Sequence, residues 1–201
     1  LFCGAGGAAM GYHLAGFEVV GVDIKPQPRY PFEFHQADAM TFPLDGFDAI
    51  HASPPCQAYT SLKAMWNAHE HPDLVAATRE RLRVAGVPYV IENVMGAPME
   101  SGIILCGSMF RLGCEGAELR RHRCFESNVP MMAPSSCVHG WSAGETVGVY
   151  GHPGGLSTRD RARVIGVYGG HGRDRRRTVA NGQHFPTAAR DGCDSNDICR
   201  N

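Results

Sequence analysis

Hydrophobic and polar positions in the first half of the chain form short apolar runs separated by stretches with helical spacing. The run "FEVVGVD" (17–23) is largely apolar and ends in an acid, which is typical of a buried parallel strand. "FDAIHA" (47–52) and "VPYVIENV" (87–94) have the same form, and "HQADAM" (35–40) is a weaker example. These four segments are the predicted strands.

Two helical patterns fall between the predicted strands. "AAMGYHLAG" predicts a short helix that ends at Gly16, and a second helix is predicted over 72–85, before Gly86. Repetition of strand, helix and strand predicts an α/β fold built on a doubly wound, Rossmann-like sheet. In such sheets the ligand binds off the carboxyl ends of the strands.

The polar signatures of this half all follow a predicted strand. They are the glycine-rich turn 4–7, Asp23, the loop 54–57, and the pair Glu92 and Asn93. Because the carboxyl ends of parallel strands meet at one edge, these residues are predicted to line one crevice.

The second half has weak periodicity and is rich in glycine, arginine and histidine. "VGVYGH" (147–152) and "IGVYGGH" (165–171) resemble a local duplication, and residues 191–201 have no core pattern. The predicted organisation is therefore a sheet domain over 1–127, a small irregular region over 128–190 and a loose tail.

Composition excludes several classes of protein. The 201 residues, 43% of them hydrophobic, fit one domain with an ordinary core, and no apolar run approaches the roughly 20 residues of a membrane span. No secretory signal is visible. Eight irregularly spaced cysteines do not form a disulfide scaffold, which favours a reducing cytoplasm.

A zinc site is a weaker alternative, because the chain has no C-x-x-C and its spacings fit no standard zinc pattern. No metal ligand is therefore assigned. The residues available for such a site are Cys114, His122, Cys124, Cys137 and His139.

Charge is distributed unevenly along the chain. Residues 1–110 carry 6 basic and 11 acidic side chains, whereas residues 111–201 carry 13 basic and 9 acidic ones. Only Lys25 and Lys63 are lysines; the other basic residues are arginines, which suit phosphates and guanine edges. Nucleic-acid contact is favoured over an ordinary solvated surface.

The turn "FCGAGG" lies between a strand end and a helix, as in nucleotide-binding proteins. Gly4 and Gly6 let the backbone approach a ligand closely, although the sequence matches neither G-x-G-x-x-G nor a phosphate loop. Asp23 follows about 20 residues later, where a ribose hydroxyl is usually bound. Asp38 ends another candidate strand.

Cys56 follows two prolines that stiffen its loop. A free cysteine is most often an inert buried residue, but this loop would present the sulfur at the ligand edge, and a helix starting near Gln57 would favour the thiolate. Glu92 is placed to act as an acid. Arg121 and Arg123, two apart, would share one face of a strand, or form a solvent-facing pair.

Four motifs in this order resemble the cytosine-C5 DNA methyltransferases: "LFCGAGG", "PPCQ", "ENV" and "R-H-R". The resemblance covers residues 1–127 and implies S-adenosyl-L-methionine as cofactor. It places Asp23 on the ribose and Asp38 near the adenine. The cofactor-binding residues it implies are Phe2, Gly4, Gly6, Gly7, Asp23, Ile24, Asp38 and Pro54.

The resemblance also implies catalytic roles. Cys56 would add to C6 of a cytosine flipped out of double-stranded DNA, and Glu92 would donate to N3. Arg121 and Arg123 would hold the base and its backbone. The chain would act as a monomer in the cytoplasm of a bacterium or a phage-infected cell. The implied substrate-binding residues are Pro55, Gln57 and Asn93.

The chain departs from that family after the paired arginines. Only 78 residues follow Arg123, and no Gly-Asn-Ser-Val-like closing stretch is found. The Arg-rich segment 159–177 is interpreted as a reduced recognition element of a compact, phage-like or partial member. Two alternatives stay open: the same chemistry on RNA or with a modified sulfonium donor, and a catalytically weak remnant that binds DNA or cofactor.

Overall fold

The protein is represented by a computed structural model that describes residues 1–59, 72–114 and 117–140. The predicted tail, the Arg-rich segment and most of the predicted recognition region lie outside these ranges. So do the two similar segments at 147–152 and 165–171.

The described residues form two α-helices, one 3₁₀ turn and eight short strands. The helices are α1 (Gly7–Leu14) and α2 (Val75–Ala85), and the 3₁₀ turn is Gly107–Phe110. The strands are β1 (Val20–Asp23), β2 (Glu33–Gln36), β3 (Ile50–Ala52), β4 (Tyr89–Asn93), β5 (Gly102–Cys106), β6 (Gly113–Cys114), β7 (Ala117–Glu118) and β8 (His122–Ser127).

The strands pair in both directions. β1 is parallel to β2, and β3 is parallel to β4. β8 lies between β4 and β5 and is antiparallel to both. The α/β prediction is thus confirmed as a mixed α/β structure with a small sheet of mixed strands. The doubly wound, Rossmann-like arrangement stays a prediction.

Backbone hydrogen bonds of the opening residues connect the two groups of strands. The N–H of Cys3 donates to the carbonyl of Val22 in β1 at 3.1 Å. On the other side, the nitrogen of Leu1 donates to the carbonyl of His51 at 2.6 Å, and the N–H of Ser53 donates back to Leu1 at 3.2 Å. Hydrogen bonding therefore runs from β2 through β1 and residues 1–3 to β3.

The core lies where α2 packs on β3 and β4. Leu82 is fully buried against Ile50, Ala52, Tyr89 and Ile91. The helix begins at residue 75 instead of 72, and it ends, as predicted, before a glycine in the left-handed conformation. None of the helices in the described ranges is long and apolar enough to span a bilayer, and the compartment stays a prediction.

A buried ion pair joins α2 to β8. Nε of Arg79 lies 2.5 Å from Oε1 of Glu126, and Nη2 lies 2.9 Å from Oε2. The side chains are only 6% and 3% exposed. Arg79 also donates to the carbonyl of Pro98, and Glu126 accepts the N–H of Glu100. Burial raises the pKa of Glu126, but its hydrogen bonds with Arg79 and Glu100 outweigh burial, so the pKa is lowered overall.

Breaking this pair is expected to destabilise the fold strongly. Glu126→Gln or Arg79→Met should each lower the free energy of unfolding by about 3–5 kcal/mol, because each leaves a buried group without its partner. Urea denaturation measures the loss.

Arg83→Met is the matched control, because Arg83 pairs with Glu100 at 2.5 Å while both side chains are about half exposed. It should lower stability much less than either variant of the buried pair. The double variant Arg79→Met/Glu126→Leu should lose less stability than the two single variants added together. Equal losses of unfolding free energy in Glu126→Gln and Arg83→Met would show that the buried ion pair contributes no more to stability than the exposed one.

His51 in β3 is held as a neutral imidazole. Its Nδ1 lies 3.0 Å from the hydroxyl of Tyr12, and its Nε2 lies 2.9 Å from Oγ of Ser53. Desolvation by burial lowers the pKa of His51 from 6.5 to about 4. The unfolded chain therefore binds more protons than the folded chain between these two pH values.

Stability is expected to fall as the pH drops from 6.5 to about 4, by up to about 3 kcal/mol from His51 alone. His51→Gln should be less stable at neutral pH, since it disturbs two hydrogen bonds, but its stability should depend less on pH in this window. Urea denaturation at several pH values tests this, with His35→Gln as the control for loss of an exposed histidine. A parental pH dependence in His51→Gln would contradict the prediction.

Candidate functional site

The glycine-rich turn is closed by Asp23. Gly4 and Gly6 have φ of +50° and +91°, a conformation that favours glycine. The N–H of Gly4 donates to Oδ2 of Asp23 at 3.0 Å, and the N–H of Lys25 donates to Oδ1 at 2.9 Å. Asp23 therefore has a structural role that the motif did not indicate. Each oxygen retains a lone pair that can accept a ligand hydroxyl.

Space around the turn differs from one glycine to the next. A Cβ on Gly4 would meet no heavy atom within 4 Å, so this position is open. A Cβ on Gly6 would lie 2.9 Å from Cδ of Pro31 and 3.1 Å from the ring of Tyr30. Sequence reasoning missed these two covering residues. Gly7 is the first residue of α1.

Two more predicted cofactor residues follow β1 and β2 at the same sheet edge. Ile24 is 64% exposed, directly after Asp23. Asp38 is exposed, and its Oδ1 accepts the N–H of Met40 at 2.8 Å. The N–H of Ala37 donates to the carbonyl of Asp23 at 3.1 Å, which joins the two strand ends. The structure thus brings these side chains to one edge of the β1–β2 pair.

Phe2 lies two residues before Gly4. Its backbone has φ of +55°, unusual for a residue with a side chain, and the side chain packs partly buried against the core. Phe2 also lines an apolar cavity of about 320 Å³ beside α1. No other predicted site residue lines this cavity, so it is not the predicted crevice. Its aromatic walls include Tyr12, Phe17, Tyr30, Phe42 and Phe47.

The Pro-Pro-Cys loop is attached to the end of β4. Nδ2 of Asn93, which is 2% exposed, donates to the carbonyl of Pro54 at 3.0 Å. Oδ1 of Asn93 accepts the N–H of Val94 at 2.8 Å. The expectation that the Glu92 strand neighbours the Cys56 strand is confirmed by the parallel pairing of β3 with β4.

The residues after Cys56 form a turn. The N–H of Tyr59 donates to the carbonyl of Cys56 at 3.0 Å, and a helix starting at Gln57 is not seen through residue 59. The side chains of Pro55, Cys56 and Gln57 are partly buried. Oε1 of Gln57 is buried and has no hydrogen-bond partner within the described part of the chain. A buried acceptor of this kind requires an explanation.

Glu92 and Arg123 form an ion pair beside this loop. Nε of Arg123 lies 2.8 Å from Oε1 of Glu92, with 16% and 20% of the two side chains exposed. Antiparallel pairing places Glu92 opposite Phe125, so Arg123 is the diagonal neighbour on the same face. Arg121 lies directly before β8 and is partly buried. Of the two arginines predicted to share a strand face, only Arg123 therefore lies within β8.

Comparison of the sequence with protein-family models and with curated proteins finds no match.

Asn93→Ala is expected to release the Cys56 loop. Loss of the two hydrogen bonds should lower the free energy of unfolding by about 1–3 kcal/mol and raise the rate at which iodoacetamide alkylates Cys56. Peptide mass spectrometry follows that cysteine separately from the others.

Asn128→Ala is the matched control, because Asn128 binds the backbone of Tyr89 and Val87 at the opposite end of β4. It should lose similar stability while Cys56 keeps its parental alkylation rate. The same rate in both variants would show that Asn93 does not control the loop.

Proposed function

We propose that this chain is a DNA (cytosine-5-)-methyltransferase that uses S-adenosylmethionine. The observation that carries the proposal is the contact of Arg123 with Glu92, which is next in sequence to Asn93, the residue that donates to Pro54 in the loop that contains Cys56. The "PPCQ", "ENV" and "R-H-R" motifs come from separate parts of the sequence and meet here. Such convergence is what the resemblance to the cytosine-C5 methyltransferases requires.

The order of hydrogen-bonded strands supports the same proposal. Hydrogen bonds join the strands in the order β2, β1, residues 1–3, β3, β4, β8 and β5. If these seven are numbered along the chain, with residues 1–3 as the first strand and without β6 and β7, the order is 3-2-1-4-5-7-6. The first five positions match the order of dinucleotide-binding folds, which favours a Rossmann-like sheet. The strand order reverses between residues 1–3 and β3. The glycine-rich turn and the Pro-Pro-Cys loop flank that point, where ligands bind in such folds.

The cofactor would bind at the ends of residues 1–3, β1 and β2. Open space at Gly4 suits close approach of a ligand, and the exposed side chain of Ile24 offers an apolar surface to an adenine ring. Asp23 would accept ribose hydroxyls with its remaining lone pairs, and Asp38 would lie near the adenine amino group. S-adenosylmethionine supplies a methyl group on a sulfonium, which makes that carbon electrophilic.

Cys56 and Glu92 would activate the cytosine. The Cys56 thiolate forms a bond to C6 while Glu92 donates a proton to N3, and C5 becomes nucleophilic. After C5 takes the methyl group, the C5 proton is lost to solvent, the thiolate departs and N3 returns its proton to Glu92, which restores the aromatic ring. Arg123 holds Oε1 of Glu92 and so fixes the direction in which the carboxyl group faces the base. Arg121 would contact the base or its backbone.

The target atoms are inaccessible in stacked DNA, so the base must be flipped out at a cost of a few kcal/mol. The buried Oε1 of Gln57 offers a hydrogen-bond acceptor within the loop for a group of the incoming DNA. Arginines, which outnumber lysines in the second half of the chain, suit phosphate contacts.

Trapping with 5-fluorocytosine DNA tests the proposal. The fluorine at C5 cannot leave as a proton does, so the protein should stay covalently attached to the DNA when the cofactor is present. A denaturing gel detects the adduct, and peptide mapping should locate it on Cys56.

Cys56→Ser should abolish the adduct, and Cys124→Ser, which replaces a partly buried cysteine of β8, should retain it. An adduct formed only with 5-fluorocytosine RNA would establish the RNA alternative in place of DNA. Cofactor binding in a calorimeter without any adduct would establish the remnant and overturn the enzyme.

A further inference from the structure

Two cysteines and two histidines lie close together at the end of the sheet where β5 is the last strand. Cys106 is the last residue of β5 and His122 the first residue of β8, and the two face each other in the antiparallel register. Cys137 and His139 lie in the segment after β8, which returns to this point. Cys106 is buried, His122 is partly buried, and the other two side chains are exposed.

The distances between these side chains fit one metal ion. Nε2 of His139 lies 3.1 Å from Sγ of Cys137 and 3.5 Å from Sγ of Cys106, and Nε2 of His122 lies 3.3 Å from Sγ of Cys137. All four ligand atoms lie within 4.8 Å of one another. In a tetrahedral zinc site, sulfur and nitrogen ligands stand roughly 3.5 Å apart.

The segment that carries Cys137 and His139 is not held there by apolar burial. Val138, between the two ligands, is 65% exposed, and Met132 is 91% exposed. Residues 132–140 are exposed throughout, Cys137 and His139 included, yet these two side chains reach His122 and Cys106. A metal ion explains why an exposed segment returns to this point, because binding energy from metal ligation stabilises the folded arrangement.

We propose that Cys106, His122, Cys137 and His139 bind one zinc ion. Two thiolates and two imidazoles are the ligand set of many structural zinc sites, and this softness favours zinc over magnesium or calcium. Four protein ligands leave no open coordination position, so the ion acts structurally. This site stands independently of the proposed methyltransferase activity.

Neighbouring groups hold the ligands in place. Oγ of Ser108 donates to Sγ of Cys106 at 3.3 Å and lies 3.5 Å from Sγ of Cys137. The buried carboxylate of Glu118 accepts the N–H of Gly140, the residue after His139, at 2.9 and 3.2 Å. Such outer contacts orient ligands and are a regular part of metal sites.

The candidate zinc ligands named from the sequence include only three of these four residues. His122, Cys137 and His139 were among the candidates, but Cys106 was not, and Cys124 is not a member of the group that the described residues form. Cys106 lies 16 residues before His122 in the chain, and only the register of β5 with β8 makes them neighbours.

Metal analysis of the full chain, purified without chelators, tests the proposal. Mass spectrometry of the metal content should give one zinc per chain. Cys137→Ser and His139→Asn should each lower the zinc retained after dialysis against a mild chelator at least about tenfold. These positions are exposed, so the variants are expected to fold. Cys124→Ser and His35→Asn are the matched controls and should retain zinc.

Cobalt substitution gives a second readout. Co²⁺ should produce the intense absorption of a tetrahedral thiolate complex in the parent and not in Cys137→Ser. A chelator should lower the Tm of the parent and leave that of Cys137→Ser unchanged. Zinc retained in Cys137→Ser at the parental level would overturn the proposal. So would a disulfide between Cys106 and Cys137, found by non-reducing peptide mapping of protein that contains no zinc.

Discussion

The ion pair between Arg79 and Glu126 determines where β8 lies. Each charge is buried and needs the other, so α2, the segment before β5 and β8 are held in one arrangement. Glu126 and Arg123 are three residues apart and therefore project from opposite faces of β8. The strand is fixed to the helix on one face and presents Arg123 to Glu92 on the other. The candidate active site thus depends on a contact outside it.

Local patterns predicted the elements that depend on local sequence. The apolar runs before Asp23, Ser53 and Val94 are β1, β3 and β4, and both helices end near the predicted glycines. The adjacency of β3 and β4 followed from strand–helix–strand repetition. The insertion of an antiparallel β8 between β4 and β5 was not predicted, since it depends on register between distant segments. The contact of Glu92 with Arg123 and the position of Cys106 depend on that same register.

Motifs were more informative about which residues gather than about what each one does. Asp23 and Asn93 end strands as expected, whereas Asp38 follows the end of β2 by two residues, and each of the three also binds backbone groups that no motif indicates. A carboxylate that closes a turn and one that binds a ribose have the same sequence signature. Phe2 also has contacts that its motif does not indicate, since its side chain packs against the core and lines the apolar cavity.

The position of β8 also sets an order of events during synthesis. Only the eight residues 94–101 separate β4 from β5, yet the two strands are not neighbours, because β8 occupies the space between them. Until residues 122–127 have been synthesised, one edge of β4 and one edge of β5 therefore have no strand to pair with. During that interval Glu92 lacks its partner Arg123. Of the strands in the described ranges, β8 is the last to be synthesised, and it both fills the sheet and completes the pair of charges at the candidate site.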